Sequence, residues 1–209
     1  MDSQSDQYPQ NSPYVFVSNN PIFYIEIDGA EYYVDSLGTL IEDMEVQDEE
    51  DQTVYLVLPD GSLLELGELG GEINVDIIFE NLLELFTEMA EGMDPITFFN
   101  LVKPGGDWDL KNNMNTIFGL GRKKGTIFYF QTVKMEAQDL GNMNFGATGK
   151  ATGQFPEWFM HFMAGQAQIF EKTSSWQWIG RPFYGDDPRD WYWIEMGFDY
   201  YKALKKKRR

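Results

Sequence analysis

The chain has 209 residues, 43% hydrophobic and 16% aromatic, which is enough apolar side chain for a real core and too much for wholesale disorder. It has no cysteine and one histidine, His161. Disulfides, thiolate metal sites, thiol nucleophiles and any site needing two imidazoles are therefore excluded, and a Ser-His-Asp triad is disfavoured.

The net charge of −18 is unevenly spread: 23 of the 34 acidic residues and none of the 16 basic ones lie in residues 1 to 100. The second half holds the remaining 11 acids and every base, six of them between Lys202 and Arg209. That asymmetry fits two segments of different origin, or an acidic half covering a more basic one. A basic tail of this kind is ordinarily a solvated chain end. The N-terminus, MDSQSDQYPQNS, has neither a basic n-region nor an apolar h-region and does not read as a signal peptide. No window approaches the ~18 apolar residues needed to span a bilayer, so no membrane insertion is expected.

Residues 22–67 read as strands. IFYIEIDGAEYYVD alternates around Asp28-Gly29, and TVYLVLP and SLLELGE flank Asp60-Gly61, both dipeptides suited to a tight hairpin. The acidic stretch EDMEVQDEEDQ lies between the two pairs, and Leu66-Gly67 and Gly70-Gly71 are expected to break the strand pattern. Val75, Ile78, Phe79, Leu82, Leu83, Phe86 and Met89 then recur at helical spacing, with Asn74 as N-cap and Gly92 as stop. Asp94-Pro95 predicts a second helix, running to about Val102. Residues 104–125, rich in glycine and asparagine, are expected to be irregular, and GTIFYFQTV a strand. Helix is favoured from Met135, interrupted by the glycines of GNMNFGATGKATG. Further helices are expected over Pro156–Phe170 and from Asp187-Pro188 to about Leu204. The predicted class is α+β, with N-terminal β-hairpins followed by a mainly helical domain and no internal repeat.

The stretch DQYPQNSPYVFVSNNPIFYIEIDG, residues 6 to 29, resembles the end of an Rhs/YD-repeat core through SPYVFV, NNPI and Asp28-Gly29, with Glu26 standing where the family usually has Asp-Pro. Residues 98 to 201 resemble polymorphic toxin type 44, the kind of variable tip that follows such a core, in four blocks: GGDWDLK (105–111), DLGNMNFG (139–146), AGQAQ (164–168) and GDDPRD (185–190). The resemblance divides the chain into an Rhs remnant at 1–29, an acidic β-hairpin linker at 30–72 and a toxin domain at 73–209. It implies an effector secreted or injected without its own signal peptide to act in a target cell, in interbacterial competition. A cognate immunity protein and an Rhs shell are the implied partners, the chain being an orphan tip or a truncated reading frame. Family members often carry His and Tyr where this chain has Asn144 and Phe145, so a His acting there as acid or base has no counterpart here.

Within the blocks, Asp109 and Lys111 would share a face of an extended segment, a carboxylate beside a charge-stabilising cation, as in many phosphodiester-cleaving sites. The bland alternative is a salt bridge at a loop-to-helix junction. Asp139, Asn142 and Asn144 sit among glycines that leave room for substrate, or those glycines (141, 146 and 149) serve close helix packing. Asp186, Asp187 and Asp190 form an acidic cluster; Asp187 at N-cap and Asp190 at N3 are equally explained by helix-start chemistry, which Asp186 is not. The catalytic candidates are thus Asp109, Lys111, Asn142 and Asp186, and the substrate-binding candidates Trp108, Asp139, Asn144, Asp187 and Asp190. The metal is unknown, a divalent ion being an open candidate as cofactor. His161, among Phe159, Phe162 and Met163, reads as structural, and the aromatics Trp191 to Tyr201 as core. Three readings follow: a nuclease-like hydrolase, a peptidoglycan-degrading toxin built on paired carboxylates, and an inactive remnant that binds only its immunity protein.

Overall fold

A computed structural model of the chain describes residues 31–41 and 52–208. The Rhs-like stretch, the Asp28-Gly29 hairpin and most of the acidic stretch after Ile41 lie outside the described residues.

Among the described residues six strands form one sheet in chain order: β1 (Tyr32–Val34), β2 (Thr53–Val57), β3 (Leu63–Glu68), β4 (Glu72–Asn74), β5 (Ile127–Phe130) and β6 (Val133–Met135). The β1–β2 and β4–β5 pairs are parallel and the others antiparallel. The sheet takes strands from both sides of residue 72, and β4 is joined to β5 by a crossover containing α1 (Asp76–Ala90), α2 (Pro95–Val102) and α3 (Ile117–Lys124). The remaining helices are α4 (Ala137–Thr152), α5 (Glu157–Glu171) and α6 (Pro188–Lys207).

Local chemistry accounts for most of these boundaries. In β2 the buried residues alternate, Val54 and Leu56 facing inward, as a half-covered strand requires. Asp60 closes the hairpin by accepting from the Ser62 amide and hydroxyl, and Gly61 takes the positive φ. Leu66-Gly67 does not end β3: the register shifts opposite Val54 and Tyr55, and Gly67, at φ +129°, forms a bulge where a Cβ would stand 2.0 Å from the Glu72 carbonyl. The N-cap of α1 is Val75 rather than the expected Asn74, which stands one residue earlier and accepts from the Asp76 amide; Asp94 caps α2 through the Ile96 and Thr97 amides.

Two further expectations are corrected. The 104–125 stretch is not irregular throughout, because α3 occupies its end; Gly119 and Gly121 lie in that helix where Cβ atoms would meet the Asn113 carbonyl and the Phe128 ring. Nor do the glycines after Met135 interrupt α4. Gly146 passes against the Ile194 carbonyl and Gly149 against Met160, so they permit close helix contact.

The core lies between the sheet and α1, α3 and α4. Phe79 packs edge-on against Phe130 at 5.0 Å, and Trp108 stacks on Phe86 at 4.7 Å. Each such buried ring contributes about 2–3 kcal/mol of apolar burial. Helix α4 touches every other helix and pairs most extensively with α6. Asp139 meets Arg189, Gly146 meets Ile194, and Lys150 and Lys202 meet on Glu157, so the two helices run in the same direction. Their N-termini therefore lie at one end of the domain and their C-termini at the other. Helix α6 continues to Lys207, and the basic tail through that residue is helical rather than a loose end.

Candidate functional site

The paired N-termini of α4 and α6 meet the last turns of α5, and that junction gathers the chemistry. The segment before α6 crosses α5 at a glycine: a Cβ on Gly165 would stand 2.3 Å from the Tyr184 carbonyl and 3.0 Å from the Asp186 amide. Gly185, at φ +100°, turns the chain there into Asp186. Asp187 is the N-cap of α6, accepting from the Arg189 amide at 2.8 Å, and Pro188 opens the helix.

Gln168 of α5 ties this junction together. Its Nε2 donates to Asp186 Oδ1 at 2.8 Å and to Asp190 Oδ2 at 2.6 Å, while its Oε1 accepts from the Asp187 amide at 3.1 Å. One neutral side chain thus fixes two carboxyls and the start of α6. Asp186 is fully buried, and its Oδ2 has no hydrogen-bond partner. Burial, followed by the charge of Asp190, pushes its carboxyl up to about 8. Burial raises Asp190 as well. Lys111 opposes both shifts, so its positive charge is felt at both carboxyls, although no ion pair within 4.0 Å joins it to either.

Lys111 reaches this position across Gly141 of α4, where a Cβ would touch only the Lys111 stem, at 4.0 Å. Asn142, the next residue, keeps a buried side-chain nitrogen without a hydrogen-bond partner. Asp139, one turn earlier, has a different task. Its carboxylate takes a two-pronged bond from Arg189, at 2.9 and 2.7 Å, and accepts from the Glu136 amide in a capping box. Arg189 also reaches Glu136 at 3.0 Å, so it clamps the start of α4 to the start of α6. The Asp139 hydrogen bonds raise the guanidinium further above its ordinary value.

The sequence candidates therefore separate. Asp186 and Asp190 come together on Gln168, with the charge of Lys111 felt at both and Asn142, Asp139 and Asp187 close by along their helices. Asp190 does not cap backbone amides as helix-start chemistry would have it; its bond is to Gln168. Asp109 and Lys111 lie in consecutive turns, not an extended segment, so the shared-face argument does not apply to them. The buried Asp109 carboxylate instead accepts from the Gly105 amide at 2.9 Å and from Asn112 at 2.6 Å, organising its own loop. Trp108 is buried against Phe86 and Phe98, and Asn144 is buried with its Nδ2 on the Trp108 carbonyl at 3.3 Å. His161 is buried, paired with Glu195 at 2.6 Å and stacked on Trp191. Of the C-terminal aromatics, Trp193, Phe198 and Tyr201 are core and Tyr192 is exposed.

Sequence reasoning missed the roles of Gln168 and Arg189, although both lie in motif blocks. The available signal was a Gln in AGQAQ whose helix ends beside an acidic helix start. Among the described residues no group of three or more His, Asp or Glu is placed to hold a metal ion, and no helix is long and apolar enough to cross a membrane.

Neither the curated proteins nor the solved structures contain a match to this chain. Residues 97–203, which include Lys111, Asn142, Gln168, Asp186 and Asp190, match the family model described as Bacterial toxin 44. That match spans half of the chain, which belongs to the Bacterial toxin 44 family.

Proposed function

We propose that this toxin is a hydrolase that cleaves phosphodiesters by proton transfer at Asp190, with Lys111 stabilising the developing charge. The supporting observation is the Gln168 bridge between a fully buried carboxyl, Asp186, and a half-buried one, Asp190. Two carboxyls held this close do not both ionise readily. Asp186, pushed up to about 8, keeps its proton at neutral pH, and Asp190 is left as the working group. Burial raises the Asp190 carboxyl above its ordinary value, which makes it a stronger proton acceptor than a free aspartate.

In the proposed reaction Asp190 takes the proton of the attacking hydroxyl or water as the new P–O bond forms. Lys111 meets the negative charge accumulating on the non-bridging oxygens. The proton returns to the departing oxygen as the old P–O bond breaks. Asn142, whose buried amide nitrogen lacks a partner, supplies a donor for substrate. Asp186 acts through Gln168 and Asp190 and is a positioning residue. Asp109, Trp108 and Asn144 are left out of the chemistry because each is buried in loop or core packing.

The Rhs-like stretch at 6–29 supports the further reading that this toxin is the tip of an Rhs effector, carried to its target by other machinery and neutralised by a cognate immunity protein. Expression of the full chain in the cytoplasm of susceptible bacteria tests the chemistry. Toxicity with degradation of RNA or DNA, lost in Asp190→Asn and Lys111→Ala, is the expected result; unchanged toxicity in both variants removes these residues from the site.

One observation favours a second reading. The two carboxyl oxygens lie within 2.8 Å of a single nitrogen, a separation compatible with the ~5 Å pairs of retaining glycosidases. Killing only after periplasmic delivery, with nucleic acids intact, would select peptidoglycan as the target.

A further inference from the structure

At the opposite end of the α4–α6 pair a groove of about 380 Å³ opens between Lys150 and Gly153 of the first helix end, Phe155, and Tyr201, Lys202, Lys205 and Lys206 of α6. Its charge is only partly neutralised. Glu157 accepts from Lys150 at 2.9 Å and Lys202 at 3.1 Å, and Asp199 takes Lys202 at 3.0 Å. Among the described residues no carboxylate lies within 4.0 Å of the Lys205 or Lys206 ammonium, although Lys205 rests over the Tyr201 ring. Lysines at a helix C-terminus complement its dipole, which explains a cation in the last turn. It does not explain why cations of both helices face one cavity.

We infer that this groove is a docking site for the phosphate backbone of a nucleic-acid strand, separate from the Asp190 centre. Every cation lining it is a lysine. Lysine meets phosphate as a point charge, without the fixed geometry of an arginine fork, as tracking of a backbone at variable positions allows. Tyr201 is buried and donates its hydroxyl to Glu91, so it offers no face for base stacking; the groove reads backbone, not sequence. From the start of α6 to Lys205 the helix rises about 25 Å, roughly seven phosphate spacings of one strand. A polymer lying along α6 would reach both ends. The identity of the polymer rests on the phosphodiester reading; the existence of the groove does not.

The test is equilibrium binding to the full chain carrying Asp190→Asn, with labelled RNA and DNA strands of about 20 nucleotides. Lys205→Glu/Lys206→Glu is expected to weaken binding at least about tenfold and to flatten the salt dependence by about two charges, and Lys205→Gln/Lys206→Gln to do so by less. Equal binding by the glutamate variant overturns the proposal. So does binding of polyglutamate or anionic phospholipid vesicles in place of both nucleic acids. Retained toxicity of Asp190→Asn would defeat the catalytic assignment and leave the binding result standing.

Discussion

The side-chain nitrogen of Gln168 lies 2.8 Å from Asp186 Oδ1, and through this bond a neutral amide of α5 fixes a buried carboxyl ahead of α6. The same nitrogen serves Asp190. Gln168→Leu keeps the approximate volume and removes all three hydrogen bonds. It should cost about 2–3 kcal/mol of stability by leaving buried polar groups unpaired. It should also lower activity, and Gln168→Glu, which sets a third carboxyl against the pair in place of the donating nitrogen, should lower both stability and activity, as read by thermal unfolding beside cleavage or toxicity assays.

Asp186 separates positioning from proton transfer. If its carboxyl is neutral at pH 7, the amide of Asp186→Asn imitates it, so this variant should keep most of its activity at neutral pH. Asp190→Asn should lose at least about a hundredfold. The informative readout is the pH profile: wild type should lose activity as pH rises through about 8, and Asp186→Asn should not show that limb.

The same carboxyl predicts a stability trend. Its folded value of about 8 lies above the ordinary 3.8, so the folded state holds the proton more tightly. The contribution is complete below pH 4 and is lost as pH rises towards 8, by up to about 1.4 kcal/mol per unit. Denaturant titrations of wild type and Asp186→Asn should therefore diverge with increasing pH, the variant becoming the more stable.

Arg189→Ala leaves the buried Asp139 carboxylate without its two-pronged partner and unfastens the starts of α4 and α6. A loss of about 3 kcal/mol is expected. Arg189→Lys should recover only part of it, because an ammonium cannot reproduce the fork. Thermal unfolding of the two variants beside wild type checks both.

Much of this architecture was legible because local chemistry decided it. Asp94-Pro95 and Asp187-Pro188 start the helices they predict, and Asp60-Gly61 turns the hairpin between β2 and β3. The failures have a common cause. Glycines in α3 and α4 read as interruptions, but Gly119, Gly121, Gly146 and Gly149 are set by what packs over them, which local sequence does not display. The β5–β6 turn falls on Gln131 and Thr132, both at positive φ without a glycine to announce it. The site followed the same rule. Lys111, Asp186 and Asp190 were visible as charges in motif blocks, whereas Gln168 has no charge, and its importance appears only when α5 is laid against the start of α6.

Carbon NMR titration of the aspartate carboxyls in the folded chain, assigned with Asp186→Asn and Asp190→Asn, tests the central claim most directly. The account requires an Asp186 midpoint near 8, well above that of an ordinary carboxyl. An Asp186 carboxyl already ionised at about pH 5, near the ordinary range, would contradict it.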